Sequence, residues 1–161
     1  MSEYYAKITW EKSDDEAYVD NKYSRAHTWT FDGGLCVPAS SSPHIVPTPY
    51  SLESHVDPEE AFVASISSCH MLFFLAFLAK RKYVVERYID EASGLMEEDE
   101  LGKMSMTRVI LRPSVIFSGE RIPSLELIET LHHQSHEQCF IANSVKTNII
   151  VEIPDSLVSR V

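Results

Sequence analysis

The chain has 161 residues, 44% of them hydrophobic and 24% charged, which fits one globular domain spanning residues 1–161 with a sizeable core. Its formal net charge is -10 and its longest basic run is Lys80, Arg81, Lys82, which argues against nucleic-acid binding. Three widely spaced cysteines, Cys36, Cys69 and Cys139, with no CxxC pair, suggest neither a zinc site nor a secreted disulfide scaffold.

The N-terminal "MSEYYAKITW" lacks the charged-then-apolar pattern of a signal peptide and reads as cytoplasmic. Tyr4 to Trp10 alternates aromatic and β-branched residues and predicts a first strand. The polar "SDDEAYVDNKYS" predicts a turn, and "HTWTFDGG" a strand ending in a glycine turn. Cys36 reads as a strand residue. Ala39 to Val56 is too rich in proline and serine for regular structure and predicts a long loop, a feature that is usually functional or mobile.

Asp57 then predicts a helix start. Asp is a favoured N-cap, Pro58 suits the first helical position, and Glu60, three residues on, can close a capping box. Both Glu59 and Glu60 complement the positive helix end, as the three cations at 80–82 complement the negative one. Ala61 to Ala79 contains no Asp, Glu, Lys or Arg, close to the ~20 apolar residues a membrane span needs. Its first half, however, carries Ser65, Ser67, Ser68, Cys69 and His70, and the rest of the chain alternates like a soluble protein. A buried central helix is the expectation, with no membrane partner. A helix apolar all round must be covered all round, and a domain of this size can hardly wrap one alone. A second subunit is therefore expected to cover part of it.

"YVVERYIDEASGLMEE" predicts a strand with a tight turn at Glu97 to Gly102, and "KMSMTRVILRPSVIF" its hairpin partner. Ser124 to Gln138 has helical spacing, with Leu125, Leu127, Ile128 and Leu131 as its stripe. "CFIANSVKTNIIVEIP" predicts a short turn and a closing strand at Thr147 to Ile153.

The chemistry centres on Cys69. A cysteine in an apolar helix is commonly a small core residue, and burial raises its pKa. The helix dipole gives no help, because Cys69 lies about twelve positions past the cap. His70 points ~100° away around the helix and cannot simply face the sulfur. It reads as a helix residue with a local hydrogen bond. His132 and His136 share a helix face without an evident third metal ligand. Cys139 could meet Cys69 in space, which spacing alone does not decide.

Taken together, "DPEEAFVASISSCHM", "RVILRPSVIFSG" and "HEQCFIANSVK" resemble the OsmC / organic hydroperoxide resistance family. The resemblance covers Asp57 to Glu152 well and the N-terminal third loosely. It implies an α+β, OsmC-like fold, a curved antiparallel sheet packed on a long central helix, in an intertwined homodimer. It implies a thiol-dependent peroxidase that reduces organic hydroperoxides without a cofactor. Cys69 would be the peroxidatic and Cys139 the resolving cysteine, reset by a dithiol reductant of lipoyl or thioredoxin type.

Family members pair an arginine with the first glutamate of the helix start to hold the thiolate. Glu59 matches that glutamate, and Arg25 of "YSRAHTWTF" matches the arginine of members that carry it early, with His27 as the reserve. Glu59 and Cys69 stand ten residues apart, ~15 Å along a helix, so Glu59 would serve a partner subunit's site. Phe140 stands where the family has a proline. Two further readings stay open: an acyl-transfer enzyme using Cys69 with His70 or His136, and a non-enzymatic domain binding a small apolar ligand.

Overall fold

The computed structural model describes residues 1–153 and 159–160. It is a mixed α+β chain that divides into two compact units, residues 1–61 and 62–161.

The first unit is a three-stranded antiparallel sheet of β1 (Ala6–Thr9), β2 (His27–Phe31) and β3 (Cys36–Ala39), with β2 in the middle. The β2–β3 turn closes through the Phe31 N–H to the Leu35 carbonyl at 2.9 Å. Gly34 sits there at φ 84, in the left-handed region that side chains disfavour. The proline- and serine-rich segment that follows has no regular structure, as its composition predicts, but it is tied down. The Ser40 N–H donates to the Val56 carbonyl at 3.0 Å, the Val56 N–H to the Pro38 carbonyl at 3.2 Å, and the Leu52 N–H to Ser40 Oγ at 3.1 Å. Ser40, Ser42 and Ser51 are all buried.

Helix α1 (Pro58–Lys80) opens with the anticipated capping box. The Glu60 N–H donates to Asp57 Oδ1 at 2.7 Å and the Asp57 N–H to Glu60 Oε2 at 3.3 Å. It closes on a motif that has no signature in the sequence. Tyr83 N–H donates to the Leu78 carbonyl at 3.1 Å and Lys82 N–H to the Ala79 carbonyl at 3.0 Å. Lys82 lies between them at φ 65, so a lysine fills the left-handed position glycine usually takes. Only Ile66, His70, Phe74 and Leu78 of α1 are fully buried, a single line at i, i+4 spacing. Leu72, on another face, is 62% exposed.

The second unit holds two three-stranded sheets. One is ordered β4 (Val84–Asp90), β7 (Pro113–Ser118), β9 (Ser159–Arg160); the other β5 (Ser93–Glu98), β6 (Met104–Leu111), β8 (Asn148–Val151). β4–β7 and β5–β6 pair antiparallel, β6–β8 and β7–β9 parallel. What reads as one long hairpin is thus four strands shared between two sheets. The arms break at the same level, after Asp90 and after Leu111. Pro113 has no N–H for a ladder. The Asp90 carboxylate holds both the Arg112 N–H, at 2.6 Å, and the Ser67 hydroxyl, at 2.5 Å, so the backbone there bonds to a side chain.

Helix α2 (Leu125–Gln138) starts on Ser124, whose hydroxyl accepts the Leu127 N–H at 3.2 Å. Its buried line is Ile128, Leu131, His132 and Ser135 rather than the whole leucine stripe, and Leu125 is partly exposed. Two apolar clusters complete the unit. Phe74, Leu78, Val115, Phe117, Ile128 and Leu131 form one, and Ile66, Val109 and Leu111 the other. Both contain α1 residues, so α1 is the common spine of the two sheets.

Candidate active site

The second unit brings the two cysteines of its helices together. Cys69 sits in mid-α1, half-buried, and Cys139 is the C-cap of α2, 1% exposed. The two thiols are close enough that Cys69 contributes to raising the Cys139 thiol. Cys139 Sγ also accepts the Ala142 N–H at 3.3 Å, from the first residue of the 3₁₀ turn Ala142–Ser144. Burial, and then the proximity of Cys69, push the Cys139 thiol up to about 11. At neutral pH, beside a reduced Cys69, it therefore rests as a protonated thiol.

Two further contacts lie around this pair. Phe140, 70% exposed, sets its ring edge-on to Phe73 with centroids 5.1 Å apart. His70 does not make the local bond its position suggests. Its Nε2 is 2.9 Å from Nδ1 of His132, 62 residues away. Both rings are 1% exposed and nearly coplanar, and His132 stacks on Phe74 at 3.9 Å. Burial drives His70 down to about 4, helped by His136, and His132 to about 3, helped by His70, so both are neutral near pH 7. Because His70 Nε2 is engaged by His132, a Cys69–His70 dyad has no geometric support. Among the described residues, no group of three His, Cys, Asp or Glu side chains is arranged to hold a metal ion.

The first unit places Arg25, His27 and Glu59 on one cavity of about 420 Å³, with Trp10, Tyr18 and Tyr23 among its walls. The Arg25 guanidinium lies 3.7 Å over the Tyr23 ring and donates to the Asn21 carbonyl at 3.0 Å, Asn21 Oδ1 at 2.7 Å and the Tyr23 carbonyl at 2.5 Å. His27 is held differently. The Trp29 indole N–H donates to its Nε2 at 3.0 Å, and its Nδ1 faces the Arg25 carbonyl at 2.8 Å. A ring nitrogen that accepts carries no proton, so in this arrangement Arg25, not His27, is the cation of the cavity. The roles of Asn21 and Tyr23 in holding Arg25 escaped the sequence reading, although an arginine two to four residues from Tyr and Asn in a polar turn is the only signal available. Cys36 is exposed on β3 and is not among the residues lining this cavity.

Comparison with known proteins bears on this geometry. The family model for OsmC-like proteins matches residues 51–154. An OsmC-like protein of unknown function from Vibrio cholerae is 56% identical, covering 96% of this chain and all of that one, with a TM-score of 0.95. An organic hydroperoxide resistance protein from Elizabethkingia anophelis, crystallised with thiocyanate bound, is 16% identical over 100% and 98% of the two chains, with a TM-score of 0.66. OhrB of Bacillus subtilis, another organic hydroperoxide resistance protein, is 17% identical over 96% and 98%, with a TM-score of 0.59. These last two are likenesses of fold. No curated protein matches the chain.

Proposed function

The chain belongs to the OsmC-like protein family, and from that premise we propose that it is a thiol peroxidase reducing organic hydroperoxides through Cys69 and Cys139. The observation that carries this reading is the proximity of a half-buried thiol to a buried one. That asymmetry supports the division of roles. Cys69 is open to a substrate, and Cys139 is held protonated beside it.

In the first step the Cys69 thiolate attacks the terminal peroxide oxygen. The O–O bond breaks, the alkoxide leaves as the alcohol with a proton, and Cys69 becomes a sulfenic acid. Cys139 then displaces water from that sulfenic acid, closing the disulfide. A dithiol reductant returns both thiols by exchange, itself becoming a disulfide.

Arg25 and Glu59 are proposed as the charge partners of the thiolate. They line one cavity, and Glu59 stands ten helical positions from Cys69, so we assign them to a second copy of the chain, across a homodimer. The apolar α1 with only one fully buried line supports that dimer, since its other faces need a cover. The two compact units then act as one functional domain.

The test is a mass map of the cysteines after one equivalent of cumene hydroperoxide, alongside hydroperoxide consumption with a dithiol. A Cys69–Cys139 link and turnover lost in Cys69→Ser are the expected results. Full activity in Cys69→Ser, or thioester turnover with no reductant, would end the peroxidase reading. Arg25→Ala is expected to slow iodoacetamide alkylation of Cys69 at neutral pH, measured in a Cys36→Ser, Cys139→Ser background, and an unchanged pH profile would mean another cation is used.

A further inference from the structure

The His70–His132 pair lies outside the chemistry above, yet its surroundings make its retention informative. Two buried rings exchange one hydrogen bond, and His70 Nδ1 and His132 Nε2 remain without a partner. Whichever ring donates, two buried polar nitrogens go unsatisfied, and such groups cost stability. Two apolar side chains of similar shape would fill the site at no such cost. What they would not supply is direction. Leucine or phenylalanine packs acceptably over a range of helix rotations and translations, whereas a 2.9 Å N···N contact between ring planes 5° apart holds only one.

The position of this contact gives the direction a use. His70 is the neighbour of Cys69 on α1. His132 is seven positions, two helical turns, before Cys139 on α2, so the two share a face of that helix. Phe74 clamps the His132 ring from the α1 side at 3.9 Å. The thiols and imidazoles therefore form two adjacent links between the same two helices, one reversible and one permanent. A disulfide tolerates little error in the distance and direction of its Cβ atoms, so the permanent link sets whether the reversible one closes without strain.

We propose that His70 and His132 are positioning residues of the Cys69–Cys139 pair: their mutual hydrogen bond fixes the register of α1 against α2 and so sets how readily the disulfide forms. The inference rests on the reading of Cys69 and Cys139 as a working pair.

The test needs no hydroperoxide. The reduced protein is equilibrated in glutathione buffers of graded oxidation, where two cysteine thiols yield one S–S bond and glutathione disulfide is reduced to two glutathione thiols. The effective molarity of the pair is read from the oxidised fraction, in a Cys36→Ser background. His132→Phe keeps the stack on Phe74 and removes the hydrogen bond; it is expected to lower the effective molarity about tenfold, the factor that one net hydrogen bond represents. His132→Asn places an amide where Nδ1 stood, and His70→Gln places one where Nε2 stood, so both are expected to stay within about threefold of the parent, keeping most of that bond.

Equal effective molarity in His132→Phe, or an equal fall in the amide variants, overturns the proposal. If His132→Phe does not fold, the unmodified protein still decides. Coupling between equilibria is reciprocal, so the disulfide must shift the opening equilibrium of the His70–His132 bond by the same factor, read as protection of the shared ring proton, and equal protection in reduced and oxidised protein overturns the inference. A parent that forms no Cys69–Cys139 disulfide in any buffer would instead defeat the cysteine-pair reading itself.

Discussion

Mild acid is expected to destabilise this protein through two histidines. An ordinary imidazole takes up its proton near pH 6.5, but burial holds His70 at about 4 and His132 at about 3. Both folded values are depressed, so between about pH 6.5 and 4 the unfolded chain binds protons that the folded chain refuses, and stability falls as the pH falls. The slope is about 1.4 kcal/mol per pH unit for each fully titrating histidine. Two pH units and two rings remove about 5 kcal/mol as an upper figure, a large share of a typical stability of about 5–15 kcal/mol. The charges acting on the pair do not relieve it, since His136 disfavours protonation of His70, and His70 that of His132. The assay is urea unfolding followed by circular dichroism at several pH values from about 7 to 4.5, above the range where most carboxylates titrate. The midpoint is expected to drop steadily through this window, and less steeply in His132→Phe. A flat midpoint from about pH 6.5 to 4.5 would refute the claim that the rings are kept neutral by burial.

Other outcomes follow from single positions. Lys82→Gly relieves a left-handed lysine and is expected to raise stability by about 1 kcal/mol, read as a higher denaturation midpoint. Gly94→Ala would place a Cβ against Met106 Cε and 2.6 Å from Val63 Cγ2. The methionine end can swing away but the branched valine cannot, so a loss of about 1–3 kcal/mol is expected by the same assay. Asp57→Ala removes the side-chain acceptor of the Glu60 N–H while leaving the backbone bond to Glu60 Oε2, for an expected loss of about 1 kcal/mol. Under the proposed mechanism Cys139→Ser leaves the Cys69 sulfenic acid unresolved, and mass spectrometry after excess hydroperoxide is expected to find Cys69 carrying two oxygens.

What could be read in the sequence was what short-range chemistry decides. The Asp57 cap depends on a residue three positions away, and it forms as anticipated; the second helix follows the apolar spacing read from Ser124 to Gln138. The resemblance that named Cys69 and Cys139 rested on motifs with fixed local spacing. The split of β4 from β5 was hidden because neither glycine nor proline stands between Asp90 and Ser93, and the break depends on bonds from Asp90 to Arg112 and Ser67. The partner of His70 was hidden for the same reason. Nothing near residue 70 indicates residue 132, and the two meet only once α2 is laid against α1. The end of α1 was concealed differently, since Lys82 looks like one more cation at a helix terminus and gives no sign of its positive φ.

The parallel strands β8 and β9 bear on how the chain comes off the ribosome. β8 joins the free side of β6, with Arg108 opposite Asn148, and β9 joins the free side of β7, with Ile116 opposite Ser159. Synthesis runs from the N-terminus, so α1 and four strands of the second unit emerge before either sheet has its third member. Until Asn148 and Ser159 arrive, β6 and β7 are open edges with unpaired backbone groups, the surface on which chains associate wrongly. A nascent or truncated chain ending before β8 would therefore be a sticky intermediate rather than a smaller working protein. Pairings over such separations also form late and slowly, which makes the C-terminal strands the step that decides between folding and aggregation.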